Sequence, residues 1–365
     1  MVRVAAKQWV LAAVFSLTAT ATTAAATTAA AGAGTAPGAV PPDEYGVGVI
    51  DTTYVDTSRP TAPFDGSPGA PSRTLPTAIY YPSLTQGSGG WGNDAVANAE
   101  PASALGPFPL LVFVSGIGSN GPADFEEFEY YVRAGYIVAA PTFPITSQMD
   151  PAAANDVVNE PGDISFVLTQ VLKEARTRGN ALRGLVERRQ LGLIGRSLGG
   201  IAALGTIFTP QYRDPRFDAV VVMAGAPNLV PDDDVGQVRT PYLEFHGTAD
   251  ESTPYDAELA FWQQANPPKF FVTIPGADHD TPFFNQAGGE PTPLNQAVGT
   301  CGVTFFDVYL TKAARPSTIA PACTVPDTMS AMVQLRGGAQ VRSVQRPTFD
   351  STDDGFGTAS TRSWW

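Results

Sequence analysis

The chain has few of the residues that bind metals or nucleic acids. Histidine occurs twice, at His246 and His279, and cysteine twice, at Cys301 and Cys323. At such scattered spacing they make no ligand cluster, so no metal and no other cofactor is expected. Lysine and arginine number 22 against 35 aspartates and glutamates, a formal net charge of −13. That shortage of basic residues argues against a nucleic-acid partner, whose phosphates demand a positive face, and against docking on anionic lipid. Long apolar runs are missing too. The run near the start, from Trp9 to Leu17, is well short of the roughly 20 residues that cross a bilayer, and no later segment offers a span.

What stands at the start is a leader. Arg3 and Lys7 precede the apolar run, and a tract rich in alanine and threonine with A-x-A sites follows it. This is the pattern of a secretory signal peptide over residues 1–36, cleaved between Ala25 and Ala36, and it predicts a secreted, extracellular protein. The roughly 330 residues that remain are enough for one large α/β domain, placed at 37–324. Residues 325–365 are polar, rich in glycine and serine, and without clear periodicity; they read as a poorly ordered tail. Two nearby cysteines in an exported chain pair, so a Cys301–Cys323 disulfide is expected to staple the last helix to the segment after it. The protein is expected to be a monomer.

Between leader and tail, apolar strands alternate with amphipathic helices. "PLLVFV", "YIVAAP", "LGLIG", "FDAVVVMAG", "PYLEFHG" and "KFFVTI" read as buried strands, and "PADFEEFEYYVRAG", "GDISFVLTQVLKEARTR", "YDAELAFWQQA" and "VTFFDVYLTKA" as helices. Such alternation predicts a mostly parallel central sheet with helices on both faces. In sheets of that kind the chemistry gathers beyond the carboxyl ends of the strands.

One such end carries "GRSLGG". Glycines two residues before and two after Ser197 remove the side chains that would clash where a strand turns into a helix. This is the G-x-S-x-G nucleophile elbow, which exposes the hydroxyl and aims the Leu198 N–H at a developing oxyanion. A serine hydroxyl needs a base, and the base needs an acid to hold its tautomer. His279, in "PGADHDTPF" after the final strand, is the expected base; His246, at the end of "YLEFH", reads as a packed histidine. Asp250 in "HGTADES" is the expected acid, with Glu251 its nearest competitor. Asp278 and Asp280 flank His279 too closely to approach the ring well. The second oxyanion donor is expected in "SGIGSN", where glycines at 116 and 118 let the backbone approach substrate and leave the Ile117 N–H as the candidate.

The order Ser197, Asp250, His279 is the α/β-hydrolase order, and residues 45–315 resemble that superfamily. Within it the chain is most similar to the platelet-activating-factor acetylhydrolase and dienelactone-hydrolase-like group of secreted esterases. The resemblance rests on "DTSR…LPTAIYYP", "VSGIGSN", "LGLIGRSLGG", "FHGTAD" and "GADHDTPF". A more distant likeness runs to cutinases and polyester hydrolases. Two positions depart from the pattern: Arg196 in the elbow and Ser115 in the oxyanion loop each stand where a histidine is usual. The resemblance implies an α/β-hydrolase fold and hydrolysis of a small or polymeric carboxylic ester through an acyl-enzyme on Ser197. Only "APNLVPDDDVGQVRT" separates "VVVMAG" from "PYLEFHG", too short a link for a cap domain. The cleft is therefore expected to be open, lined by Ile117, Phe143, Phe283 and Phe284, and suited to short-chain or exposed esters. Two other classes stay open: a non-catalytic binding protein on the same fold, and a serine peptidase.

Overall fold

Runs of β-branched, aromatic and small residues commit the middle of the chain to strands that alternate with helices. The computed structural model describes residues 44–231, 235–285, 289–325, 328–335 and 340–341; the expected leader and most of the expected tail lie outside them. Eleven strands form one sheet: β1 (Gly46–Asp56), β2 (Arg73–Ser83), β3 (Val96–Ala97), β4 (Phe108–Val114), β5 (Ile137–Pro141), β6 (Val186–Arg196), β7 (Ala219–Met223), β8 (Tyr242–Gly247), β9 (Lys269–Ile274), β10 (Ser330–Gln334) and β11 (Gln340–Val341). Their spatial order is β11-β10-β9-β8-β7-β6-β4-β5-β2-β1-β3. From β5 through β9 neighbours run parallel, while β2 pairs antiparallel with both β1 and β5.

The order of strands decides where a site can form. The chain passes from β4 to β5 on one side, then returns past β4 to lay down β6, β7, β8 and β9 on the other. The crevice beyond the carboxyl ends of β4 and β6 is therefore the switch point of the sheet, where open α/β folds hold their ligands.

Both faces of the sheet are covered, as period-two alternation in a fully buried strand requires. In β4, Leu110, Val112 and Val114 belong to one core, and Leu111 and Phe113 to the other. The first core takes residues of α2 (Glu160–Glu174), α3 (Leu198–Phe208) and α4 (Tyr255–Gln264), among them Ile164, Val167, Ile201, Leu204, Phe208 and Phe261. The second takes Phe125, Phe128 and Val132 of α1 (Phe125–Arg133) and Val298, Phe305 and Phe306 of α5 (Pro293–Phe306). Between β7 and β8 the described residues hold one short 3-10 turn, Val235–Gln237, and no cap domain.

Two elements differ from the sequence reading. The helix expected at "VTFFDVYLTKA" begins ten residues earlier, at Pro293, and the short α6 (Ile319–Ala322) follows it. Helix α5 is started by Thr292, whose hydroxyl accepts from Asn295 N–H while the Asn295 side chain accepts from Thr292 N–H. That reciprocal cap satisfies donors the first turn leaves orphaned, with asparagine in place of the usual glutamate or glutamine. The tail is also not unstructured from residue 325: Ser330–Gln334 pairs antiparallel with β9, Ala331 opposite Val272 and Val333 opposite Phe270. Ala331, Val333 and Met329 are buried in the second core. Cys301 of α5 and Cys323, just past α6 (Ile319–Ala322), form a disulfide, both fully buried. With a sequence separation of 22, the bridge restricts the unfolded chain by about 3 kcal/mol on the loop-entropy account.

Candidate active site

The elbow is built where β6 ends. Ser197 has φ 55° and ψ −121°, a left-handed conformation that costs a non-glycine residue about 1–3 kcal/mol and is found where the fold over-determines it. The glycines around it are a steric necessity: a Cβ on Gly195 would lie 2.2 Å from Gly199 O, and one on Gly199 would lie 2.1 Å from Val114 O. Ser197 N–H donates to Met223 O at 2.9 Å, tying the elbow to β7. Gly116 of the loop after β4 rests directly on it, since a Cβ there would meet Ser197 Cβ at 3.2 Å.

Three loop residues from three strand ends then converge. Ser197 Oγ lies 2.7 Å from His279 Nε2, and His279 Nδ1 lies 2.7 Å from Asp250 Oδ2. Asp250 is fixed by its own turn: its Oδ1 accepts from Ser252 N–H (2.8 Å) and Thr253 N–H (2.9 Å), and Thr253 Oγ1 stands 3.0 Å from its Oδ2. Burial pushes the Asp250 carboxyl up, but the His279 contact and the backbone donors outweigh it and hold it down at about 2. In the loop after β4, Gly118 N–H donates to Thr146 O (2.8 Å) and Ser119 N–H to Gly116 O (3.3 Å); among the described residues no partner is seen for the N–H groups of Ser115, Gly116 and Ile117. Leu198 opens α3, so its N–H belongs to the helix's unsatisfied first turn.

His246 sits apart from the serine. It is fully buried, Nε2 facing Thr253 O at 2.7 Å and Nδ1 facing Glu244 Oε1 at 3.1 Å. Since a carbonyl only accepts, Nε2 carries the proton and Nδ1 accepts. Burial pushes the Glu244 and Glu258 carboxyls well above their usual range. The Tyr242 hydroxyl lies against both carboxyls, Glu258 Oε1 and Glu244 Oε2 (2.9 Å), and so joins them to His246 through Glu244 Oε1. Glu251 stays out of the cluster, and the described structure places neither Asp278 nor Asp280 on the imidazole.

Comparison with known proteins finds likeness among solved structures. No protein-family profile and no curated protein matches the chain. Among solved structures, it is similar to a ferulic acid esterase from Streptomyces cinnamoneus, with a TM-score of 0.56 and 24% identity over 77% of this chain and 94% of that one. The fold is that of the α/β-hydrolases.

The aromatic lining expected of the cleft is only partly present. Phe143 and Phe283 are 2% and 3% exposed and belong to the two cores, so neither offers a ligand much surface. Their loops run by the site, but the rings turn inward to bury apolar area. Ile117 and Phe284 are half-buried, and the Arg196 guanidinium lies 5.2 Å from the Phe284 ring centre. Met149, overlooked in the sequence, is 82% exposed, and its Sδ lies 2.7 Å from where a Cβ on Gly118 would be. Thr253, which braces Asp250, was also missed; an aspartate followed three residues on by threonine is a recognisable side-chain turn. Surface cavities of about 600 and 500 Å³ are lined by other residues, Trp91, Tyr130 and Arg133 in one and Arg176 and Arg183 in the other. Among the described residues no cluster could hold a metal ion and no helix is long and apolar enough to cross a membrane.

Proposed function

We propose that the protein is a secreted serine carboxylic-ester hydrolase acting on short-chain or exposed esters. The observation that carries this reading is the unbroken contact chain Ser197 Oγ–His279 Nε2 and Nδ1–Asp250 Oδ2, 2.7 Å at each link. His279 Nε2 takes the Ser197 proton as Oγ attacks the ester carbonyl, and Asp250 holds the proton on Nδ1. The Leu198 and Ile117 N–H groups receive the oxyanion; removing one such donor typically costs about 10²–10³ in turnover. His279 then returns its proton to the departing alcohol, leaving an acyl group on Ser197. A water activated by the same imidazole attacks the acyl carbonyl, the C–Oγ bond breaks, and the serine regains its proton.

Ester chemistry is supported by the likeness to a ferulic acid esterase, and catalysis rather than binding alone by the Ser197–His279–Asp250 contacts. Export is supported by the leader pattern and the disulfide. The absence of a cap among the described residues supports open access, and long acyl chains gain little there, since each methylene is worth about 0.8 kcal/mol only when water is removed from it. A series of p-nitrophenyl esters tests the substrate class. The expected kcat/KM maximum lies at acyl chains of roughly two to six carbons; a steady rise to long chains with activation at a lipid interface would contradict it.

A further inference from the structure

Arg196 precedes the nucleophile, yet nothing in the acyl-transfer scheme uses it. It is 8% exposed, and its surroundings join three segments of the site. Its Nη2 donates to Asp280 Oδ1, on the residue directly after His279. Its Nη1 lies 3.2 Å from where a Cβ on Gly116 would be, so the guanidinium presses on the oxyanion loop. Its plane lies over the ring of Phe284, further along the base loop. On the inner side it faces α1, where Glu127 Oε1 is 3.7 Å from Nε, beyond hydrogen-bond reach. Nε, Glu127 Oε2, Asp124 Oδ2 and Ser115 Oγ are all buried without a hydrogen-bond partner among the described residues. Burial pushes the Glu127 carboxyl well above its usual range and raises that of Asp124, while the Arg196 charge pulls both down. The firm bond of this guanidinium therefore goes outward, to Asp280.

We propose that Arg196 is a positioning residue: paired with Asp280, it fastens the base loop to the nucleophile elbow and the oxyanion loop, and its charge cancels that of Asp280 beside the imidazole. The charged and titratable groups that face this pair and His279 are Asp250 from the loop after β8, Asp278 and Asp280 from the base loop, Asp124 just ahead of α1, and Glu126 and Glu127 from α1. Arg196 is the cation among them. Removing it leaves the Asp280 carboxylate uncompensated, which favours the protonated imidazole and blocks the base to higher pH. Removing Asp280 leaves the cation uncompensated and does the reverse.

This inference rests on the proposed triad, and the experiment separates the two. The pH dependence of kcat/KM on a soluble ester is measured for the full chain and for Arg196→Met, Arg196→Lys, Asp280→Asn and the double variant Arg196→Met/Asp280→Asn, with fluorophosphonate labelling of Ser197 run on each. The acid limb is expected to move up by about half a unit or more in Arg196→Met and down by a similar amount in Asp280→Asn. It is expected to return near its original position in the double variant and to stay in place in Arg196→Lys. Loss of positioning adds a fall in kcat of about tenfold in Arg196→Met with KM little changed. Asp280 is 43% exposed at its side chain, so Asp280→Asn keeps the fold and the test stands even if Arg196→Met does not. Limbs that move together, or do not move, in a protein whose Ser197 still labels would overturn the role of the pair alone. A wild-type chain that does not label would overturn the triad and this inference with it.

Discussion

Two carboxyl–histidine pairs lie side by side at the ends of β8 and β9, and only one of them faces the serine. His246 meets Glu244 at 3.1 Å, and His279 meets Asp250 at 2.7 Å. Asp250 even stands within 3.5 Å of His246 Nε2. The pairs differ in what surrounds them. Glu244 and His246 are fully buried, and burial drives the carboxyl toward its neutral form. Asp250 receives two backbone N–H groups from its own turn and is driven the other way, to about 2, while His279 keeps 15% of its side chain in solvent. A neutral acid donates a hydrogen bond and builds a rigid core network; an ionised one accepts a hydrogen bond and can stabilise an imidazolium. A carboxyl and an imidazole thus brace the core in one place and, on the proposed reading, make a base in the other.

The largest break in the comparison comes from the Asp250–His279 pair. His279→Ala and Ser197→Ala are each expected to lower kcat/KM by about 10⁴-fold or more, because each removes an indispensable role, with the far-ultraviolet circular dichroism unchanged. Asp250→Asn follows, with a loss of about 10³–10⁴ from a mis-set tautomer. Asp250 also gives this pair its pH signature. A carboxyl depressed in the folded state contributes stability that is complete above its unfolded value and is lost as pH falls toward 2. Melting temperatures taken from pH 5 down to pH 3 are therefore expected to fall more steeply for the wild type than for Asp250→Asn.

The buried pair should respond in stability instead of rate. His246→Asn is expected to cost about 2–4 kcal/mol in denaturant unfolding, from buried groups left unpaired, while kcat changes less than about tenfold. Smallest of all is Glu244→Gln. An amide can donate to His246 Nδ1 and accept from Tyr242 as the neutral acid does, so the expected change is about 1 kcal/mol or less. A much larger loss would mean that Glu244 is ionised and that the two pairs are less different than their surroundings imply.

How far the sequence could be read follows the same division between local and distant causes. The tight turn at Ser197 was legible because its glycines and serine act on one another within six residues, and the meeting of Asp250 and His279 because each stands just past an apolar strand run. The alternation of strands and helices showed the layers of the fold for the same reason. Causes that act across the chain were hidden. Nothing near Phe143 or Phe283 tells that their rings turn into the cores, and the Arg196–Asp280 pair spans 84 positions. "SAMVQ" looks like part of a polar tail until β9 offers its free edge, and α5 starts early on a cap whose asparagine replaces the expected acid.

The central claim is that His279, and not His246, activates Ser197. Site-resolved mass spectrometry after fluorophosphonate treatment of the wild type, Ser197→Ala, His279→Ala and His246→Asn tests it most directly. The account predicts stoichiometric label on Ser197 in the wild type and in folded His246→Asn, none in Ser197→Ala, and labelling slowed by about a thousandfold or more in His279→Ala. Full-rate labelling of His279→Ala, or a folded His246→Asn that no longer labels, would contradict it.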